Sequence, residues 1–301
     1  MIETQVRPAI AERSALTQFV LLCALSIAAG WHALASTLWL GWNSEEYTHI
    51  LLILPVSSAL IWLDWPSVRS LAKPNMRLGA ALLTVAVFVF ASSVVSPLGS
   101  QFDVRVSIEM LALVIWSIGS FVFCFGSAVS KRLLFPLCFM FWMVPFPQFL
   151  LKAIVALLQQ WSAVAADLMF TAVGVPVAHD GVRLLIPGLT LEVAKECSSI
   201  RSSMMLVVTT MVLAQLTLRS SWRKGLAFLL AVPLSVVKNG LRIFTIAILG
   251  TRVDRNYLTG RFHHHGGGVF FAIALILMML LIWLLKRTEV GITVVPRAAT
   301  S

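Results

Sequence analysis

The sequence predicts an all-α polytopic membrane protein with about eight transmembrane helices, an interfacial helix on the periplasmic side and a small β-hairpin. Three observations predict it. Of 301 residues, 59% are hydrophobic and only 12% charged, too few to coat a soluble surface. Apolar runs of about 18 or more residues recur along the chain, matching a hydrocarbon core roughly 30 Å thick. The basic residues gather in short stretches between those runs. A net charge of +10 would suggest nucleic acid in a soluble protein, but here it reports topology, since Lys and Arg are retained in cytoplasmic loops.

Taken in order, residues 1–14 form a cytoplasmic lead-in, and the first span covers about 15–38 after Arg7 and Arg13. An outer loop around Trp42 to Tyr47 suits an aromatic belt. The second span, about 48–63, returns to Arg69, Lys73 and Arg77; the third, about 78–95, leads out to Asp103 and Arg105. The fourth, about 108–129, comes back to Lys131 and Arg132, and the fifth leaves through 133–150, with Pro145-Phe146-Pro147 near its outer end. Residues 152–173 mix apolar positions with Gln159, Gln160, Ser162 and Asp167, which suits a helix lying in the interface plane. If that segment crossed instead, Arg219, Arg223, Lys224, Lys286 and Arg287 would fall outside. Asp180-Gly181 and Pro187-Gly188 are turn signals among β-branched residues, read as an outer-face hairpin. Three more spans follow, at about 198–218, 225–249 and 268–285, the second interrupted by Lys238-Asn239-Gly240-Leu241-Arg242. The single transmembrane domain thus runs over 15–287, with 288–301 as a cytoplasmic tail. This topology brings Cys197, Arg201, Arg242 and His263 to His265 to the outer face, although outer segments there are also basic, with Arg183, Lys195, Arg252, Arg255 and Arg261.

Of the four cysteines, Cys23, Cys124 and Cys138 lie in apolar runs, whereas Cys197 lies among polar residues. A cysteine attacks as thiolate, and helix N-termini and nearby cations favour that form. Arg201 stands one helical turn after Cys197, and Lys195 lies close by. The bland alternative is a structural thiol at a span end. A nucleophile needs a base, usually histidine. Consecutive His263, His264 and His265 point about 100° apart on a helix, so they cannot all face one site. They suit a rigid metal site poorly, and neither metal nor cofactor is expected. Asn239 and Arg242 share a helical face in an apolar segment. Arg242 offers a planar fork of donors fit to stabilise an oxyanion, or could simply snorkel to headgroups. Tyr47-Thr48-His49 reads alone as an interface anchor.

In this order, Cys197-Ser198-x-x-Arg201, Asn239-Gly240-Leu241-Arg242 and His-x-x-x-Gly resemble the exosortases and archaeosortases. Supporting matches are Tyr47-Thr48-His49, Phe135-Pro136 with Pro145-Phe146-Pro147, and the Gly-x-x-x-x-x-Pro-Gly run from Gly181 to Gly188, so the resemblance covers roughly 42–285. It implies a cysteine transpeptidase of the inner membrane with its site facing the periplasm. Its partners would be exported proteins ending in a Pro-Glu-Pro-like (PEP-CTERM) signal, a transmembrane helix and a basic tail, together with membrane lipids and an envelope acceptor. Carried over, Cys197 is the nucleophile, Arg242 the oxyanion stabiliser and His263 the base, with Arg201, Asn239, Tyr47 and His49 in support. The sequence departs from the family at Ser199, where Gly is common. The histidine register is also double: His263 pairs with Gly267 and His264 with Gly268, and His263 is preferred because Phe271 lies eight residues on. Competing readings are a transporter or lipid-handling factor, and an envelope glycosyl- or acyl-transferase.

Overall fold

A computed structural model describes residues 3–95, 101–180, 183–186, 189–192, 200–252 and 267–290. Among these, seven helices are long and apolar enough to cross a membrane, or eight when a bent pair near the N-terminus counts as one span. The chain divides into two compact units, Met1–Leu151 and Lys152–Ser301.

The first unit opens with α1 (Glu3–Ala29) and α2 (Trp31–Asn43), which meet at Gly30 with a bend of 79°. The expected first span is therefore broken. Trp116 Nε1 reaches across to donate to the Leu22 carbonyl at 2.9 Å. A short 3₁₀ turn (Glu45–Tyr47) leads into α3 (Ile50–Val68), followed by α4 (Met76–Val95) and α5 (Phe102–Phe125). Asn75 caps α4, its Oδ1 accepting from Leu78 N at 3.1 Å. The loop before α4 lies on the end of α5, with Lys73 N donating to Phe125 O. Gly126 ends α5 at φ +87°, and a Cβ there would stand 1.7 Å from the Lys73 carbonyl oxygen.

The expected fifth span, 133–150, is not one helix. After α6 (Ser127–Arg132) come α7 (Leu134–Phe139), a 3₁₀ turn (Met140–Met143) and an irregular stretch to residue 147. Pro145 and Pro147 lack the N–H a helix needs, and each disfavours helical backbone in the residue before it. The stretch still travels the length of the unit. Leu133 and Leu137 pack with Val68, Phe121 and Phe125 at one end, while Phe146 O accepts from Tyr47 Oη at 2.8 Å at the other. Beside it, Gln148 N donates to Asp103 Oδ2 at 2.8 Å, starting α8 (Gln148–Ala172).

α8 is long and apolar enough to cross, where the sequence suggested a surface helix. Its buried positions, Leu151, Val155, Leu158, Ser162, Ala163, Ala166 and Phe170, follow helical spacing along one side.

The second unit continues with a three-stranded antiparallel sheet in place of the expected two-stranded hairpin: β1 (Ala178–Asp180), β2 (Arg183–Ile186) and β3 (Leu189–Glu192). Two turn signals make three strands, pairing Asp180 with Arg183 and Ile186 with Leu189. Three helices follow: α9 (Ile200–Thr217), α10 (Ser221–Arg252) and α11 (Gly267–Val290). Leu184 of the sheet packs with Ala163, Ala166 and Phe170 of α8 and with Ile243 and Ala247 of α10. The α9–α10 turn is tied to the far end of α11 by Glu289, which accepts from Ser220 N at 2.8 Å and lies 3.5 Å from Arg223 Nη1.

Gly126→Ala must move the Lys73 carbonyl and accept an unfavourable φ, at a cost of roughly 1–3 kcal/mol. We expect a lower thermal midpoint for the detergent-solubilised protein. Gly225→Ala, with no atom within 4 Å of its added Cβ, should leave the midpoint unchanged or raise it.

Candidate functional site

The end of the second unit opposite Glu289 collects the polar residues that a bilayer-length helix would otherwise shed. On α10, Ser235, Lys238, Asn239 and Arg242 occupy neighbouring turns, and all are buried: Asn239 is 0% exposed, Lys238 4% and Arg242 5%. Arg242 therefore does not snorkel to the surface. Trp222, Leu229, Val232 and Val237 lie exposed on the same helix, so the polar stripe is one side of an otherwise apolar rod.

Neighbouring elements fit around α10. On the side of α10 away from the polar stripe, Gly240 sits where a Cβ would come 2.7 Å from Ala165 Cβ, so α10 and α8 meet there with almost no side chain between them. The first turn of α9 brings Ser202, whose hydroxyl accepts a hydrogen bond from Lys238 Nζ. Arg201, beside it, is exposed. α11 begins at Gly267 directly against Arg242: a Cβ on Gly267 would lie 3.7 Å from Nη1 and 3.8 Å from Cζ. The backbone at the start of α11 thus covers the guanidinium.

Of the residues singled out in the sequence, Asn239 and Arg242 meet at this place, with Arg201 at the start of α9. Cys197, His263 and His264 lie outside the described residues. The two described ends nearest them are informative, because Ile200 follows Cys197 by three residues and Gly267 follows His263 by four. A chain of three or four residues reaches no more than about 10–14 Å.

Tyr47 and His49 belong to the first unit and are both buried. Tyr47 holds the Pro-Phe-Pro segment through the Phe146 carbonyl. His49 stands edge-on to Trp142 at 6.3 Å between ring centroids, and its Nδ1 has no hydrogen-bond partner among the described residues.

Sequence reasoning missed Lys238, Ser202 and the contact of Gly267 with Arg242. Lys238 had a visible signal: it precedes Arg242 by four residues, so both share a face. For Ser202 the signal was absent, since Ser202 and Ser203 adjoin and only the packing of α9 decides which meets Lys238.

Comparison with curated proteins and with solved structures returned no match. The transmembrane exosortase profile matches residues 41–280, a stretch that takes in α3 through most of α11 and every residue of the cluster around Arg242. On that match the chain belongs to the transmembrane exosortase family.

Proposed function

We propose that this exosortase-family protein is a cysteine transpeptidase that cleaves C-terminal sorting signals of exported proteins at the periplasmic face of the inner membrane. The observation that carries the reading is the buried Arg242 guanidinium, with the first residue of α11 against it and the first turn of α9 joined to the same helix through Ser202 and Lys238. Those two helix starts lie within a few residues of Cys197 and His263.

In this mechanism the Cys197 thiol gives its proton to His263, and the thiolate attacks the scissile carbonyl so that a carbon–sulfur bond forms. The carbonyl electrons move to oxygen, where Arg242 donates hydrogen bonds to the developing charge. Collapse expels the amine of the signal, which takes a proton from His263, and a thioester remains. The acceptor, an amine or a water molecule, loses its proton to His263 as it attacks, and the thiolate is released. Asn239 and Arg201 support this centre, and Tyr47 and His49 support the first unit. His264 is the alternative base.

Charge distribution supports the orientation. In the second unit Arg219, Arg223, Lys224, Lys286 and Arg287 cluster at the end carrying Glu289, away from Arg242. The positive-inside rule assigns that end to the cytoplasm. In the first unit Arg69, Lys73, Arg77, Lys131 and Arg132 gather at the end carrying Gly126, and the same rule applies.

A candidate substrate bearing a Pro-Glu-Pro-like signal, an apolar helix and a basic tail should be processed by the wild-type protein and left intact by Cys197→Ala. Equal processing by both would sink the cysteine mechanism. Arg242→Ala should lower the rate roughly 10²–10³-fold, and Arg242→Lys should recover only part of it, because a point charge lacks the planar fork. Of the histidine variants, His263→Ala should abolish turnover while His264→Ala retains it; the reverse result assigns the base to His264. A membrane-impermeant thiol reagent should label Cys197 in spheroplasts, and labelling only after permeabilisation would overturn the orientation.

A further inference from the structure

Lys238 is costly where it lies. An ammonium in a membrane-spanning helix is expensive unless it reaches water, a headgroup or a polar partner, and a lysine stem is long enough to snorkel. Lys238 does not do so: it is 4% exposed, and its ammonium donates to the Ser202 hydroxyl of α9. The helices α9 and α10 are antiparallel neighbours joined by a short turn at the Glu289 end. At the other end α9 starts three residues after Cys197, and α10 runs on past Arg242 to Arg252. The Lys238–Ser202 link crosses between them there, one turn from Arg242 on α10 and five residues from Cys197 along the chain.

We infer that Lys238 is a positioning residue, which acts through Ser202 to fix the first turn of α9 against α10 and thereby sets the approach of the Cys197 thiol to a carbonyl held at Arg242. The inference rests on the transpeptidase reading above. It gives Lys238 no contact with the substrate. Serine is well suited to the partner role because a short, neutral hydroxyl on a helix has little freedom, so one hydrogen bond transmits position. Rate is steeply sensitive to such placement: a shift of about 1 Å in a reacting group can cost roughly 100-fold.

The test is a double-mutant cycle on the full-length protein in membranes, with Lys238→Met, Ser202→Ala and the pair, reading kcat and KM for the tail-bearing substrate. Each single variant should lose about 10- to 100-fold in kcat with KM within about twofold. The double variant should be no slower than the slower single, since both changes remove one link. Lys238→Arg should stay within about fivefold of wild type. Alkylation of Cys197 by a neutral reagent, followed by mass spectrometry of its peptide without substrate, should change less than about twofold if position alone is altered. Losses that multiply in the double variant, wild-type kcat in either single, or a tenfold fall in alkylation would each overturn the inference, the last by giving the lysine charge a direct part in thiolate formation. Should Lys238→Met fail to accumulate, Ser202→Ala and Lys238→Arg decide the matter. The two proposals fail separately: normal processing by Cys197→Ala removes the transpeptidase reading, whereas an inactive Cys197→Ala beside a fully active Ser202→Ala removes only the positioning role.

Discussion

Burying a guanidinium in a helix otherwise built for lipid is the constraint from which the second unit follows. A charged side chain at the centre of a membrane helix costs about 2.5–3.5 kcal/mol on insertion scales and more by other estimates, so Arg242 can be kept only where protein surrounds it. α10 meets that need by segregating its polar residues to one side and leaving Trp222, Leu229, Val232 and Val237 outward. The elements packed on the polar side have small groups at the contact: Gly267 faces Arg242, and Ser202 meets Lys238. A large side chain at either point would hold the helices apart and admit lipid or water to the charge. On the opposite side of α10, Gly240 lets Ala165 of α8 approach closely.

The first unit answers a different demand, that of backbone polar groups freed by breaks in its helices. In an apolar medium each unsatisfied N–H or C=O costs several kcal/mol, so interrupted backbone persists only where protein satisfies it. The 144–147 stretch is such an interruption, and side chains from elsewhere in the unit serve its later end: Tyr47 Oη donates to Phe146 O, and Asp103 accepts from Gln148 N. This gives Tyr47 a physical task that its interface-like sequence setting did not reveal. The same economy explains why Pro145 and Pro147 are tolerated, since neither has an N–H left to satisfy.

Periodicity and hydropathy made most helices legible, and the ordered motifs made the family legible. What they missed has identifiable causes. The break at Gly30 leaves hydropathy unchanged, so 15–38 reads as one run although the axis turns by 79°. The segment 133–150 is apolar enough for a span, but its prolines set a hydrogen-bonding limit that composition does not register. α8 carries Gln159, Gln160 and Asp167 yet has the length and apolarity of a span, and its buried side mixes Val155, Leu158 and Phe170 with the small Ser162, Ala163 and Ala166. Asn239 and Arg242 were legible as a pair because three-residue spacing is local. The Lys238–Ser202 link joins residues 36 apart, and no local pattern encodes it.

The two ends of the second unit divide its labour. At one end Glu289 fastens α11 to the α9–α10 turn through two backbone N–H groups and Arg223, contacts that fix helix positions without exposing a reactive group. At the other, the helices carry cations and small residues but, among those described, no cysteine or histidine; the proposed nucleophile and base stand in the segments that precede α9 and α11. Such a division suits an enzyme that must admit a peptide attached to a membrane helix. Charges that stabilise a transition state act best when held rigidly before the reaction, and a rigid helix holds Arg242. Groups that meet the substrate are commonly placed on connecting segments over such a scaffold. On the proposed mechanism, the arrangement around Arg242 holds the electrostatic half of the site in the helices and leaves the covalent half to the chain between them.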